Sequence, residues 1–199
     1  AIIGFGLTLV LIITGIDLSG GSSMALSCVV ASMLIVMAGT PLVVAVIAVM
    51  IMGLAIGAMH GYLIERFRIP AFVVTLGSMI FFRGLALILV DGSPVFNDNA
   101  AFLFIGNGSL FGIPFPIFLL LVFFAGFHYL LRYTQFGKFT YAIGGNEEAA
   151  RLSGVNIYRV KIIVYALCTM AAAVSGLIVA SRLGSGQPLA GTTWELYVI

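Results

Sequence analysis

Charge is scarce in this chain: Asp, Glu, Lys and Arg together make up 8% of its 199 residues, against 62% hydrophobic ones. A water-soluble domain carries roughly 25% charged residues, so hydrocarbon must be the solvent for most of this chain. Cysteine is scarce too. Cys28 and Cys168 each lie inside an apolar run and read as small core hydrophobes, with a disulfide between them the weaker alternative. The formal net charge of +2 is too small to imply a nucleic-acid partner. No G-x-x-x-x-G-K-[ST] segment exists to cradle phosphates, so any ATP and Mg²⁺ must be bound by another subunit. No Ser/His/Asp set has nucleophile-elbow spacing. His60 and His128 sit on separate runs with no other ligand type spaced with them, so no metal site and no enzyme activity are expected.

What is present is a series of long apolar runs. In lipid an unpaired backbone group costs several kcal/mol, which leaves helices or closed barrels as spanning structures. Barrel strands alternate over short segments and these runs do not, so the expected fold is all-α and polytopic. Spans are expected near 1–16, 22–39, 41–64, 69–90, 113–131 and 161–181, about six in all. Pro41, Pro70, Pro114 and Pro116 fall at entries, where a missing N–H does least harm. The chain starts at Ala1 within one apolar run and ends with "ELYVI" entering another, so both ends read as cuts in a single permeating domain, 1–199. The 91–112 segment reads as a turn-rich loop, and its "NGS" at 107–109 is set aside as a chance glycosylation tripeptide.

Basic residues orient the spans. Arg66 and Arg68 fall in one link, and Arg132, Lys138, Arg151, Arg159 and Lys161 in another, the 132–160 loop and its edge. By the positive-inside rule that side is cytoplasmic, while Asp91, Asp98, Glu195 and Arg182 lie opposite.

Within the basic link stands a polar island, "AIGGNEEAARLSGVN" at 142–156. Asn146 is a good N-cap, Glu147 and Glu148 suit the positive end of a helix dipole, and Glu147 pairs with Arg151 at i, i+4. Gly154 offers a left-handed stop. The pattern predicts a helix over 147–153, near 10 Å long at roughly 1.5 Å per residue and too short to cross a bilayer. It is either a solvated connector or a docking element for a soluble partner.

"GIDLS" at 15–19, "IPAFVVTLGSM" at 69–79, "FGKFTYAIGGNEEAARLSGVN" at 136–156 and "RLGSGQPLAGTTWEL" at 182–196 resemble the permease subunit of bacterial ATP-binding-cassette importers for monosaccharides. That branch takes in ribose, galactose, xylose and autoinducer-2 systems. "NGSLFGIP" at 107–114 and "VKIIVYALC" at 160–168 are most similar to its ribose-type members. The chain departs from the common "GIDLSVGS" at Gly20, and family members continue beyond the "ELxxI" stretch. The resemblance implies a multi-pass protein of the bacterial cytoplasmic membrane that moves sugar by ATP-driven alternating access. It further implies a cytoplasmic ATP-binding subunit, a periplasmic sugar-binding protein and a second permease subunit, homo- or heterodimeric. Asn146, Glu147, Glu148, Ala149, Ala150, Arg151 and Leu152 then fall on the helix that couples ATPase motion to the membrane gate.

Other residues are weighed on their own chemistry. "TGIDLSGGSS" at 14–23 breaks the apolar pattern, and acids at membrane depth usually face a cavity or partner. Asp17 and Ser19 are therefore candidate pathway residues, the alternative being an interfacial loop in which Asp17 caps the next helix. Thr75 and Ser78 share a helix face and join them as candidates, unless their hydroxyls simply bond a carbonyl one turn back. Arg83 is expected to snorkel outward, or to pair with an acid inside the bundle. Gly53, Gly57 and Gly61 form a small-residue stripe for close helix packing, and Ala172, Gly176 and Ala180 repeat the spacing. Two other functions stay open: an ion-coupled secondary transporter, for which Asp17 offers only one acid at depth, and a non-transporting membrane scaffold.

Overall fold

The computed structural model describes residues 1–192, and it is a helical bundle. Its elements are α1 (Ile2–Ile12), α2 (Gly20–Val36), α3 (Leu42–Phe67), α4 (Ala71–Leu89), β1 (Val95–Phe96), α5 (Ala100–Asn107), β2 (Ser109–Leu110), β3 (Ile113–Pro114), α6 (Phe115–Tyr133), α7 (Gln135–Gly145), α8 (Glu147–Leu152), α9 (Ile157–Leu183) and β4 (Ser185–Gly186). Glu195 and the "ELYVI" stretch lie outside the described residues.

Four of these helices, α3, α4, α6 and α9, are long and apolar enough to cross a membrane, which makes the chain a multi-pass integral membrane protein. The first two expected spans are shorter than the sequence suggested. The described part of α1 stops at Ile12, not 16, because Thr14 turns to a left-handed φ of 57°. α2 has 17 residues and starts at Gly20, directly after that turn. Together they form a broken helix pair joined by residues 13–19, of which Ile13, Asp17 and Ser19 are buried while Thr14 and Ile16 are exposed. Arg68, at φ 54°, ends α3 in the left-handed region, and Pro70 opens α4 two residues later.

α9 is the central post. It packs against α1, α2, α3 and α5, and most of its length is buried. Its closest neighbour is α3, and the reason is the glycine stripe. A methyl group on Gly53 would lie 2.8 Å from the Ala173 Cβ, and one on Gly61 would lie 2.5 Å from the Ile162 Cα. At Gly57 it would press into the Tyr165 carbonyl. Backbone meets backbone along this seam, giving dispersion contacts that larger side chains would prevent. Gly176 does the same for α2 against Met24 and Ser27, so the second small stripe serves a different neighbour.

Two helices were not foreseen. α5 lies within the 91–112 segment read as a loop: Asn99 caps it, and Phe102 is fully buried beside α9. Ser181 fastens it by donating to the Phe102 carbonyl (2.5 Å) and accepting from the Gly106 N–H (2.6 Å). α7 occupies the first part of the basic loop, capped by Thr134, and its Gly144 sits against the Ile12 carbonyl at the end of α1. Arg83 does not simply snorkel. It donates to the carbonyls of Pro188 (3.1 Å) and Ala190 (2.7 Å), pinning the turn that follows β4, a strand that pairs with β1 and lies along α2.

Gly57→Ala is expected to force α3 away from α9 and destabilise the protein by about 1–3 kcal/mol. Gly77→Ala, with nothing within 4 Å of the added methyl, should be neutral or stabilising. Thermal unfolding of the two variants in detergent checks this, and equal losses would contradict the seam.

Candidate functional site

At the basic end of the bundle α8 forms much as its local chemistry dictates. The Asn146 Oδ1 accepts from the Ala149 N–H (2.9 Å), satisfying one orphan donor. Gly154 adopts φ 84°, and the Val155 N–H returns to the Ala150 carbonyl (3.1 Å), closing the helix. Ala150 is the buried side of the helix, while Glu148, Ala149, Arg151 and Leu152 are exposed. Leu152 is 86% exposed, an apolar side chain held at the tip of a charged element.

Four charges tie α8 to the spans. Arg151 and Glu147 pair at 3.1 Å, as their spacing predicts. Glu147 also reaches the Lys161 Nζ at 2.9 Å, and that same nitrogen meets Glu65 at 2.9 Å. Arg151 lies 3.6 Å from Glu65, so two bases and two acids close a ring between α8, the end of α3 and the start of α9. Glu65 and Lys161 are largely screened from solvent, at 18% and 14% side-chain exposure. Such a partly desolvated pair is costly to break by removing one member, unlike an exposed surface bridge. Sequence reasoning missed both: the Glu65–Lys161 contact joins residues 96 apart, and no local spacing announces it.

Beside this ring opens a cavity of about 460 Å³. Its walls come from the α1–α2 turn (Thr14, Gly15), the α3–α4 link (Arg68, Pro70) and the charged ring itself, and its inner end reaches Tyr165. A volume in this range suits a small polar molecule.

Beyond the cavity, the turn between α1 and α2 presents Asp17, 3% exposed. Its Oδ1 accepts from the Ser19 N–H (2.8 Å) and Ser19 Oγ–H (2.6 Å), and its Oδ2 faces the Cys168 thiol at 3.4 Å. Asp17 thus holds the N-cap residue of α2 in place instead of capping the helix itself. Thr75 bonds the Ala71 carbonyl one turn back (2.9 Å) and approaches the Ile16 carbonyl (3.4 Å), which brings α4 to the same turn. Ser78, one turn further along, is also buried. Asp17, Ser19 and Thr75 therefore converge on one turn, and the cavity stops at its near edge, Gly15. At Gly20 an added methyl would lie 3.0 Å from the Ile3 Cδ1, so the departure from valine leaves α1 close to the start of α2.

His60 lines the same region. It is fully buried, its ring lies 6.3 Å from that of Phe82, and the charge of Asp17 reaches it. Among the described residues neither of its ring nitrogens has a hydrogen-bond partner. No group of three or more His, Cys, Asp or Glu among the described residues is placed to hold a metal.

The described residues thus form a multi-pass bundle with a broken helix pair packed on its central post and a short charged helix at one end. The family model for the branched-chain amino acid transport system/permease component matches residues 1–199, and the chain belongs to that family. It is 43% identical over 203 residues to the ribose import permease protein RbsC of Escherichia coli, and 42% identical over 200 residues to that of Bacillus subtilis. Those alignments cover 100% of this chain and 63% and 62% of the relatives, so the chain spans somewhat under two thirds of their length. The L-arabinose transport system permease protein AraH of Escherichia coli is 44% identical over 140 residues, covering 70% of this chain and 43% of that protein. No solved structure matches the chain.

A buried imidazole without a partner costs about 1–3 kcal/mol. His60→Leu is therefore expected to hold or raise the unfolding temperature of the protein in detergent, despite removing a polar group. A clear fall would contradict the account by showing that the ring is satisfied.

Proposed function

We propose that this chain is the greater part of a membrane-spanning permease subunit of an ATP-binding-cassette importer, carrying a ribose-like monosaccharide through the bacterial cytoplasmic membrane. The observation that carries the proposal is α8: a self-capped polar helix, too short to span, held by four charges at the basic ends of two spans. That is the construction a membrane subunit needs to receive force from a soluble motor. The similarity to ribose permeases along the whole of residues 1–199 favours a sugar cargo over the amino acids in the family's description.

In this reading residues 1–199 belong to one permease domain, with 132–160 as its cytoplasmic coupling loop. Asn146, Glu147, Glu148, Ala149, Ala150, Arg151 and Leu152 form the coupling element, and a cytoplasmic ATP-binding subunit, which carries the ATP and Mg²⁺, docks on its exposed face. A periplasmic binding protein delivers sugar at the opposite end, and a second permease subunit completes the pathway within the lipid. Asp17, Ser19, Thr75 and Ser78 are proposed to flank the route, with the 13–19 turn as the element that shifts between inward- and outward-open states. Hydroxyls and one carboxylate offer sugar the weak hydrogen bonds that transit requires.

Glu147 turns toward Lys161 and Arg151, so Glu148 and Leu152 are the outward probes of docking. Glu148→Lys and Leu152→Asp are each expected to lower co-purification of the ATPase with the full-length permease by at least about fivefold, with membrane insertion unchanged. Undiminished capture by both variants would contradict the docking role. Sugar uptake by the reconstituted complex that persists without ATP would replace this reading with an ion-driven transporter.

A further inference from the structure

We infer that Glu65 and Lys161 are positioning residues for the coupling helix, forming an ionic latch that makes α8, α3 and α9 move as one body against the 13–19 turn. This rests on the permease reading and adds the route by which motion travels. Three observations carry it.

The latch spans separate elements. Lys161, on α9, is shared between Glu65 of α3 and Glu147 of α8 at 2.9 Å each, while Arg151 of α8 faces both acids. Loss of Lys161 would leave Glu65 and Glu147 sharing Arg151 alone and cut the ionic link between α8 and α9. Beyond the latch, α3 and α9 cannot slide freely, because Gly57 and Gly61 place backbone on backbone directly above it. One and two turns along α9 from Lys161 the helix touches the turn: Tyr165 stands where any side chain on Gly15 would go, 2.6 Å from such a methyl, and Cys168 faces Asp17. A displacement of α8 therefore passes through the latch to α3–α9 and then to Gly15 and Asp17, along packed contacts throughout. The cavity lies between latch and turn, so the same displacement changes its width. Local helix chemistry at 146–154 explains the shape of α8, but it does not explain why two half-buried charges from distant spans converge on it.

The test uses the full-length permease in lipid nanodiscs, with spin labels on cysteines introduced at Leu152 and Phe67. Cys28 and Cys168 are buried and stay unlabelled, and any cysteine outside residues 1–199 is replaced by serine. The parent protein should give one narrow distance between α8 and the end of α3. Lys161→Gln and Glu65→Gln should each broaden or shift it, while Lys161→Arg, which keeps the charge, should preserve it. With the ATPase and binding protein added to unlabelled protein that keeps Leu152 and Phe67, the Gln variants should still bind the ATPase but move at least about fivefold less sugar per ATP hydrolysed, the low end of ordinary site-to-site coupling. Lys161→Arg should restore most of that ratio, which a purely structural loss of folding would not allow. Unchanged distances in both Gln variants would overturn the latch. Altered distances with an unchanged ratio would overturn its positioning role. A parent complex that imports no sugar would count against the permease reading, while the label distances would still decide the latch.

Discussion

Hydrocarbon will not hold an unpaired charge, and that constraint organises this molecule. With so few charged residues to place, the chain gathers most of its bases, and three of its acids, at one end of the bundle. There they do more than solvate a loop. Glu65, Glu147, Arg151 and Lys161 join a surface helix to two spans, so the wettest part of the protein is mechanically continuous with its driest seam.

The seam follows from the opposite economy. Where polar groups are excluded, helices associate by shape, and Gly53, Gly57 and Gly61 let α3 approach α9 closely. α9 also carries α1 and α2, whose break would be intolerable if exposed to lipid. Asp17 and Ser19 satisfy the broken turn internally, and Thr75 leans on it from α4. Irregular backbone in lipid needs protein partners for its polar groups, and the Asp17 and Ser19 side of this turn has them. Arg83 solves a similar problem at the other end, where its guanidinium donates to two carbonyls of the turn after β4.

Much of this was legible in the sequence because the strongest signals are local. Apolar run length located the long spans to within a few residues at most ends, and Asn146, the adjacent acids and Gly154 marked α8 almost to its boundaries. The i, i+4 rule found Glu147–Arg151. Non-local pairings were not legible: nothing near Glu65 or Lys161 in the chain says that they meet, and nothing near Arg83 points to Pro188. α7 escaped because the 132–160 segment reads as a loop holding one short helix, whereas Gly144 lets the end of α1 rest on a second helix there. α5 escaped because turn residues on both sides hid a short apolar helix whose stability comes from Ser181 and the burial of Phe102. The first span was overextended because run length cannot see a left-handed Thr14.

The central claim is that the charged end bearing α8 faces the cytoplasm. A membrane-impermeant maleimide applied to spheroplasts and to inverted vesicles tests it directly, with single cysteines placed at the exposed positions Ser153 and Asp98 of the full-length protein. The account predicts that Ser153→Cys reacts only in inverted vesicles and Asp98→Cys only in spheroplasts. Reaction of Ser153→Cys from outside the cell would turn the bundle over and remove the basis for a cytoplasmic motor.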